Sequence, residues 1–500
     1  GAVLANNLIL LLVCWGFLGL LLYLLIGMGD SDAPKVAKKT LIIVGGTDAL
    51  MILGIGIIYY FTQSLQMDKI RLELNQGILV FAYFCIASAC FAKAGAMPYH
   101  SWIPDCAKSA PLPVTAYLPA SLDKLLGIYL LSRLSLNLFV MNKAVAMVLM
   151  FIGAITIIAA VMMALVQHNL KRLLGYHAVS QVGYMVLGIS TGNPIGIAGG
   201  LFHMLNHAVY KSCLFFSAGN VEYRAKTSEL DQLGGLANLM PFTFFSCLIA
   251  SLSISGIPPF NGFVSKWLIY QGLIENLQMA DLSVKAMSIF CLIAAMFGSA
   301  LTLASFMKIL HAVFLGQRLN TAKAKEIKEV PLTMLVPCLV LALICIIFGV
   351  FAFVLPLKYF IFPIFSAYTE LNPANLPGNW SPVLATVLIL VGLVTGLILF
   401  KFGKIKSLVR QDSTFCGGEL EEQGQEAMVT GIDFYNTIKE MPLLQRIYQK
   451  AERGVFDLYE QSKKILRFSK VLQFLHNGVL PTYLVWILIG MMGLFLILVR

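Results

Sequence analysis

The chain has 500 residues, 58% of them hydrophobic and 12% charged, with a formal net charge of +11. A soluble domain carries charge on roughly a quarter of its residues; here apolar runs of about 20 residues recur from end to end, which excludes that class and implies an all-α polytopic membrane protein. The basic residues gather in short loops between the runs, as the positive-inside rule expects, so the charge is no nucleic-acid footprint.

The ten cysteines are scattered without a C-x2-C pair, so disulfide frameworks, zinc sites and iron–sulfur clusters lack support. The sequence opens at Gly1 directly in an apolar run with no basic n-region. No signal peptide is expected, and a further segment upstream of Gly1 is.

Twelve crossings are predicted, near 4–26, 40–61, 77–107, 112–134, 143–167, 177–191, 195–219, 241–277, 286–315, 331–355, 382–400 and 481–499. The third breaks at Gly95–Pro98. The eighth breaks at Gly256-Ile-Pro-Pro-Phe-Asn-Gly262. Proline removes a backbone donor and glycine permits unusual dihedrals, so each place should present two half-helices with unpaired carbonyls. The two breaks are five crossings apart, an odd offset, so they run in opposite directions, which is the signature of inverted-topology repeats. Each half offers a lysine near its break, Lys93 and Lys266.

The implied architecture is a pair of inverted five-helix repeats with two broken transmembrane helices. The first repeat covers 1–142, with its opening helix expected before residue 4, and the second covers 143–315. Flanking transmembrane helices fill 316–410, a polar turn and an amphipathic surface helix fill 411–480, and a final anchor helix fills 481–500.

The orientation agrees with this parse. Lys35, Lys38 and Lys39, then Lys171 and Arg172, then Arg318, Lys323, Lys325 and Lys328, then Lys401, Lys404, Lys406 and Arg410 fall on one side only if 241–277 counts as a single crossing. That side is then cytoplasmic. Asp412–Gln425 reads as a solvated turn. Between 439 and 470 there are eight Lys/Arg against four Asp/Glu, and Leu444, Ile447, Tyr448, Val455, Phe456, Tyr459, Ile465, Leu466 and Leu472 lie near helical spacing. Such a helix should lie along the membrane surface, with interruptions at Pro442 and Gly454.

Charged groups inside a bilayer are costly and mark ion paths. In the seventh crossing His203, His207 and Lys211 are spaced by four, forming a titratable row about 12 Å long. Histidine titrates near neutrality and buried lysines can exchange their proton, so the row can relay protons. Asp48, Asp123, Lys124, Lys308 and His311 complete the intramembrane inventory. Blander readings stand beside these. Lys93, Lys266 and Lys308 can snorkel to the interface, His203 and His207 can form a packing pair or, with a third ligand, a metal site, and Asp123 with Lys124 can form a local helix-stabilising pair. Gly54-Ile-Gly56 sits inside a span and lacks the context of a dinucleotide fingerprint.

The runs Lys93…Pro98…Trp102-Ile-Pro-Asp105 with Pro111-Leu-Pro-Val114, Lys171-Arg-Leu-Leu-Gly-Tyr-His-Ala-Val-Ser-Gln-Val-Gly-Tyr184, Phe202–Phe215 and Gly256–Lys266 resemble the antiporter-like subunits of respiratory complex I. That family also includes subunits of Mrp-type sodium/proton antiporters and of energy-converting membrane-bound hydrogenases. The run Leu118-Pro-Ala-Ser-Leu-Asp-Lys-Leu-Leu-Gly127 looks more like the hydrogenase-linked branch. The resemblance implies inverted five-helix bundles, with the surface helix clamping adjacent subunits. It also implies a proton path through Lys93, Lys124, His203, His207, Lys211 and Lys266. No cofactor is expected here, because quinone, nucleotide and iron–sulfur sites belong to other subunits of such complexes. The implied partners are the lipid bilayer, further antiporter-like subunits and, indirectly, peripheral redox subunits, in the inner or cytoplasmic cell membrane.

One departure stands out. Where the family usually has a glutamate after the tryptophan of the first crossing, Trp15 is followed by Gly16, leaving Asp123 and Asp48 as candidate carboxylate partners of Lys93. At Lys124 the family's charged position is displaced by about one residue. The implied function is a proton-translocating, or sodium/proton-exchanging, subunit of a complex I-related redox-driven pump of hydrogenase type. The alternatives are a subunit of a stand-alone Mrp-type antiporter, or a transport-silent structural subunit.

Overall fold

The structure, a computed structural model, describes residues 1–278, 281–316, 327–364, 381–402, 435–466, 469, 473 and 478–498. It forms two compact units, Gly1–Leu444 and Gln445–Arg500. The first unit is a helical bundle. In chain order it contains α1 (Leu8–Ile26), α2 (Ala33–Thr62), α3 (Gly77–Ala94), α4 (Trp102–Ser109), α5 (Leu112–Tyr117), a π turn (Leu118–Leu122) and α6 (Asp123–Arg133). It continues with α7 (Lys143–Leu165), α8 (Leu170–Ser190), α9 (Pro194–Ala225), α10 (Pro241–Ser255), α11 (Asn261–Glu275), α12 (Leu282–Ile309), α13 (Leu332–Val350) and α14 (Pro382–Phe402). Leu72–Glu73 and Phe139–Val140 pair as two short parallel strands.

Among the described residues, eight spans are long and apolar enough to cross a membrane, so the polytopic helical class holds. Helices α8 and α9 are more polar, and burial explains why. Every residue of α8 except Arg172 is buried, so the bundle rather than lipid surrounds it.

Both predicted breaks are present and are built alike. α3 ends at Gly95 with φ 83° and α10 ends at Gly256 with φ 82°. Each break contains a cis X–Pro bond, Met97–Pro98 and Pro258–Pro259. The helix starts repeat as well. Leu8 N donates to Leu65 O at 2.9 Å and Met67 N to Asn6 O at 2.8 Å; Leu170 N donates to Ser228 O and Leu230 N to His168 O, both at 2.8 Å. Gly95 needs its left-handed backbone, and an added Cβ would lie 1.8 Å from Ile103 Cδ1. Gly95→Ala is therefore expected to destabilise the protein by about 1–3 kcal/mol, read as a lower unfolding temperature in detergent.

Some predicted boundaries move. α2 begins at Ala33 with Pro34 in its first turn, so Lys35, Lys38 and Lys39 are helical rather than in a loop. Lys171 and Arg172 likewise lie in the first turn of α8, whose N-terminus is capped by Asn169 accepting from Arg172 N at 3.0 Å. Lys39 Nζ lies 2.8 Å from Asp105 Oδ2, and Arg172 reaches Asp105 Oδ1 at 3.8 Å, so these two basic clusters share one end of the bundle. The basic residues Arg318, Lys323, Lys325, Lys404, Lys406 and Arg410 and the turn Asp412–Gln425 lie outside the described residues.

The amphipathic stretch is interrupted where expected. It comprises α15 (Asn436–Glu440), α16 (Pro442–Glu452), which Pro442 opens, and α17 (Leu458–Leu466), with Gly454 at φ 70° between the last two. Leu472 lies outside the described residues, as do the side chains of Ile465 and Leu466. A final helix spans Leu480–Leu498.

Candidate functional site

The first cluster forms where α1, α2, α3 and α6 meet. Lys93, in the last turn of α3, is fully buried, and its Nζ donates to the Trp15 carbonyl at 2.8 Å. The ammonium also lies 4.5 Å from the centroid of the Trp15 ring. Trp15 Nε1 in turn donates to Asp48 Oδ1 at 2.8 Å, so Asp48 reaches Lys93 through one tryptophan. Asp123 is buried, and its Oδ2 has no hydrogen-bond partner among the described residues. Beside the burial of its ammonium, Lys93 feels the charge of both carboxylates, Asp123 and Asp48. Anchored on a buried carbonyl, Lys93 does not snorkel.

Lys124 is directed at the break itself. Rather than closing a local pair with Asp123, its Nζ donates at 2.7 Å to the carbonyl of Ala94, the last residue of α3. The carbonyl end of a helix carries partial negative charge, which favours a cation there. The π turn Leu118–Leu122 immediately precedes Asp123 and holds one more residue than an α turn.

Lys266 repeats the capping arrangement at the second break. It is buried in α11, with Nζ 2.8 Å from the carbonyl of Ile254 in α10 and 4.7 Å from the Tyr184 ring centroid. The two broken-helix lysines differ in placement, however. Lys93 precedes its glycine within α3, whereas Lys266 follows the break in α11.

Between these ends lies the α9 row, whose three members are all buried but differently held. His203 is fully engaged: Nδ1 sits 2.9 Å from Ser265 Oγ, and Nε2 sits 3.1 Å from Gln181 Oε1 and 3.3 Å from the Tyr210 hydroxyl. Neither ring nitrogen of His207 closes a hydrogen bond of normal geometry among the described residues; the ring faces the Ala120 backbone. Lys211 Nζ has no hydrogen-bond partner among the described residues and lies 5.5 Å from the Phe215 ring and 5.9 Å from that of Phe306. Buried polar groups are nearly always satisfied, which sets His207 and Lys211 apart from His203. Lys124 acts on both groups, and Lys266 acts on His203, which joins the two breaks electrostatically.

Lys308 stands apart from the row. Its Nζ donates to Leu165 O at 2.9 Å and Gln167 O at 3.0 Å, capping the end of α7. His311 lies in the π turn that ends α12. The sequence reading missed Trp15 as the bridge to Asp48, and it missed His177, Gln181 and Tyr184 of α8. The last three are spaced at i, i+4 and i+7, a one-face signal that was available.

The model of the NADH:quinone oxidoreductase/Mrp antiporter transmembrane family matches residues 5–302. The chain is 30% identical over 370 residues to a Na(+)/H(+) antiporter subunit A1 from Staphylococcus haemolyticus, covering 70% of this chain and 46% of that protein. It is 32% identical to hydrogenase-4 component B from Escherichia coli, covering 71% and 54%. The chain thus spans about half the length of the curated relatives it matches. Among solved structures, a chain of a membrane-bound sulfane sulfur reductase, an archaeal respiratory membrane complex, aligns with a TM-score of 0.80 at 24% identity over 98% of this chain and 81% of that one. A chain of an Mrp complex from Dietzia aligns with a TM-score of 0.63 at 23% identity over 70% and 72%.

Proposed function

This chain belongs to the NADH:quinone oxidoreductase/Mrp antiporter transmembrane family, and from that premise we propose that it is a proton-translocating, or sodium/proton-exchanging, membrane subunit of a redox-driven pump of membrane-bound hydrogenase type. The observation that carries this reading is the set of buried titratable groups Lys93, Asp123, Lys124, His203, His207, Lys211 and Lys266, with a lysine bonded to the helix end at each break. Lys93, Lys211 and Lys266 hold and pass protons; Asp123 and Asp48 supply the negative charge that Gly16 does not. Redox chemistry belongs to partner subunits. Its partners are lipid, further antiporter-like subunits and, indirectly, peripheral redox subunits, in the inner or cytoplasmic cell membrane.

The finer architecture goes with this reading. Two inverted repeats, 1–142 and 143–315, are supported by the paired breaks and paired helix starts, which recur at nearly constant spacing. Helices α13 and α14 are flanking helices, α15, α16 and α17 form the surface helix that clamps neighbouring subunits, and Leu480–Leu498 is an anchor.

A second reading is a subunit of a stand-alone sodium/proton antiporter, which the naming of several relatives favours. Purification decides between the two: co-purifying redox subunits with iron–sulfur signals support the first, and a redox-silent complex that exchanges sodium for protons supports the second. A transport-silent structural subunit makes a third, opposite prediction. In vesicles carrying the complex, Lys93→Ala and Lys266→Ala are each expected to cut ion transport at least about tenfold; unchanged transport in both would mean a structural role only.

A further inference from the structure

His177 lies outside the row that the sequence singles out. It sits in α8, fully buried, with Nε2 held 2.7 Å from Ser305 Oγ of α12. Its ring packs against Phe306 with centroids 4.8 Å apart, and the same Phe306 ring lies 5.9 Å from Lys211 Nζ. Phe306 is thus a wall common to His177 and Lys211. In the other direction, the face of α8 that bears His177 continues through Gln181 to Tyr184, a rise of about 10 Å. The Tyr184 ring lies against Lys266 Nζ. One helix face therefore leads from the surroundings of Lys211 to those of Lys266. The charged groups acting on His177 are Lys211 of α9 and Lys266 of α11.

His203 and His177 differ in what they can offer. His203 has both ring nitrogens engaged, by Ser265 on one side and by Gln181 and Tyr210 on the other. His177 has one nitrogen on Ser305, while its buried Nδ1 has no hydrogen-bond partner among the described residues. In the tautomer whose Nε2–H donates to Ser305, Nδ1 carries the lone pair that can receive a proton.

We infer that His177 passes the proton between Lys211 and Lys266, and that His203 instead fixes the mutual placement of α8, α9 and α11. The step balances within these groups. The Lys211 ammonium gives a proton to His177 Nδ1 and becomes a neutral amine. The imidazolium then gives its Nδ1 proton to the neutral Lys266 amine, while Nε2–H stays on Ser305. Water spans the gaps, and no other bond forms or breaks. The inference rests on the proton-carrying reading of Lys211 and Lys266 proposed above.

The test uses the purified complex in vesicles, with proton transport measured per turnover for His177→Asn, His203→Asn and Lys211→Ala. His177→Asn keeps a polar partner for Ser305 but cannot carry a proton, and transport is expected to fall at least about tenfold. His203→Asn is expected to lower thermal stability, because it loses bonds to Ser265, Gln181 and Tyr210. Normal transport by His177→Asn beside a dead Lys211→Ala would overturn the role of His177 alone; normal transport by Lys211→Ala would overturn the underlying reading. If His177→Asn does not assemble, Ser305→Ala decides. It leaves the imidazole able to titrate but removes its anchor, so a displaced pH–rate profile supports the role and an unchanged one overturns it.

Discussion

Replacing Lys211 with alanine is expected to lower proton transport by roughly 10²-fold, the scale on which a positioned proton carrier contributes, while the complex still assembles. Lys211 has the least polar surroundings of the row, two aromatic rings and no hydrogen-bond partner among the described residues. Its ammonium therefore supports no neighbour, and its removal leaves no buried group unpaired. The informative companion is Lys211→Arg. Arginine keeps the positive charge but does not release its proton at any physiological pH. If Lys211 only supplied charge, arginine would restore function; if it carries protons, arginine should be as inactive as alanine. The readout is gradient formation in vesicles beside the rate of the driving reaction. Transport lost with the driving reaction retained or slowed is the expected pattern, and undiminished transport in both variants would remove Lys211 from the path.

Much of this site was legible because its elements use backbone chemistry that sequence displays. Gly95, Pro98, Gly256 and Pro259 advertise the breaks, and a lysine within an apolar run stands out at any position. Helix ends were read less well, since hydropathy places a boundary where charge begins. Lys39 and Lys171 instead continue their helices because Asp105 and Glu222 lie 2.8 Å from them, partners 66 and 51 residues away. The π turn before Asp123 has no compositional signature. His177 was passed over for the same reason as Asp105: Ser305 lies 128 residues further along the chain, and only folding joins them.

Asp123→Asn is expected to impair transport more than Asp48→Asn, because the two carboxylates see different surroundings. Asp123 is 1% exposed, whereas Asp48 is only half-buried and keeps its acceptor oxygen for Trp15 as asparagine. Opposite charges in such surroundings interact by about 2–3 kcal/mol at an effective dielectric constant near 20, which corresponds to a loss of roughly 30- to 160-fold for Asp123→Asn. Asp48→Asn is expected to have a smaller effect, because the bond from Trp15 survives the substitution. A rescue separates charge from structure. A Cβ added at Gly16 meets nothing within 4 Å, so α1 has room to begin a longer side chain there. Gly16→Glu in the Asp123→Asn background moves the negative charge from α6 to α1, one residue from the tryptophan whose carbonyl holds Lys93. Transport restored at least several-fold would show that Lys93 needs a nearby carboxylate and that either helix can supply it. No recovery in a complex that still assembles would mean that Asp123 acts from its own position, through Lys124 and the break it caps, and not as a stand-in for the acid absent at Gly16.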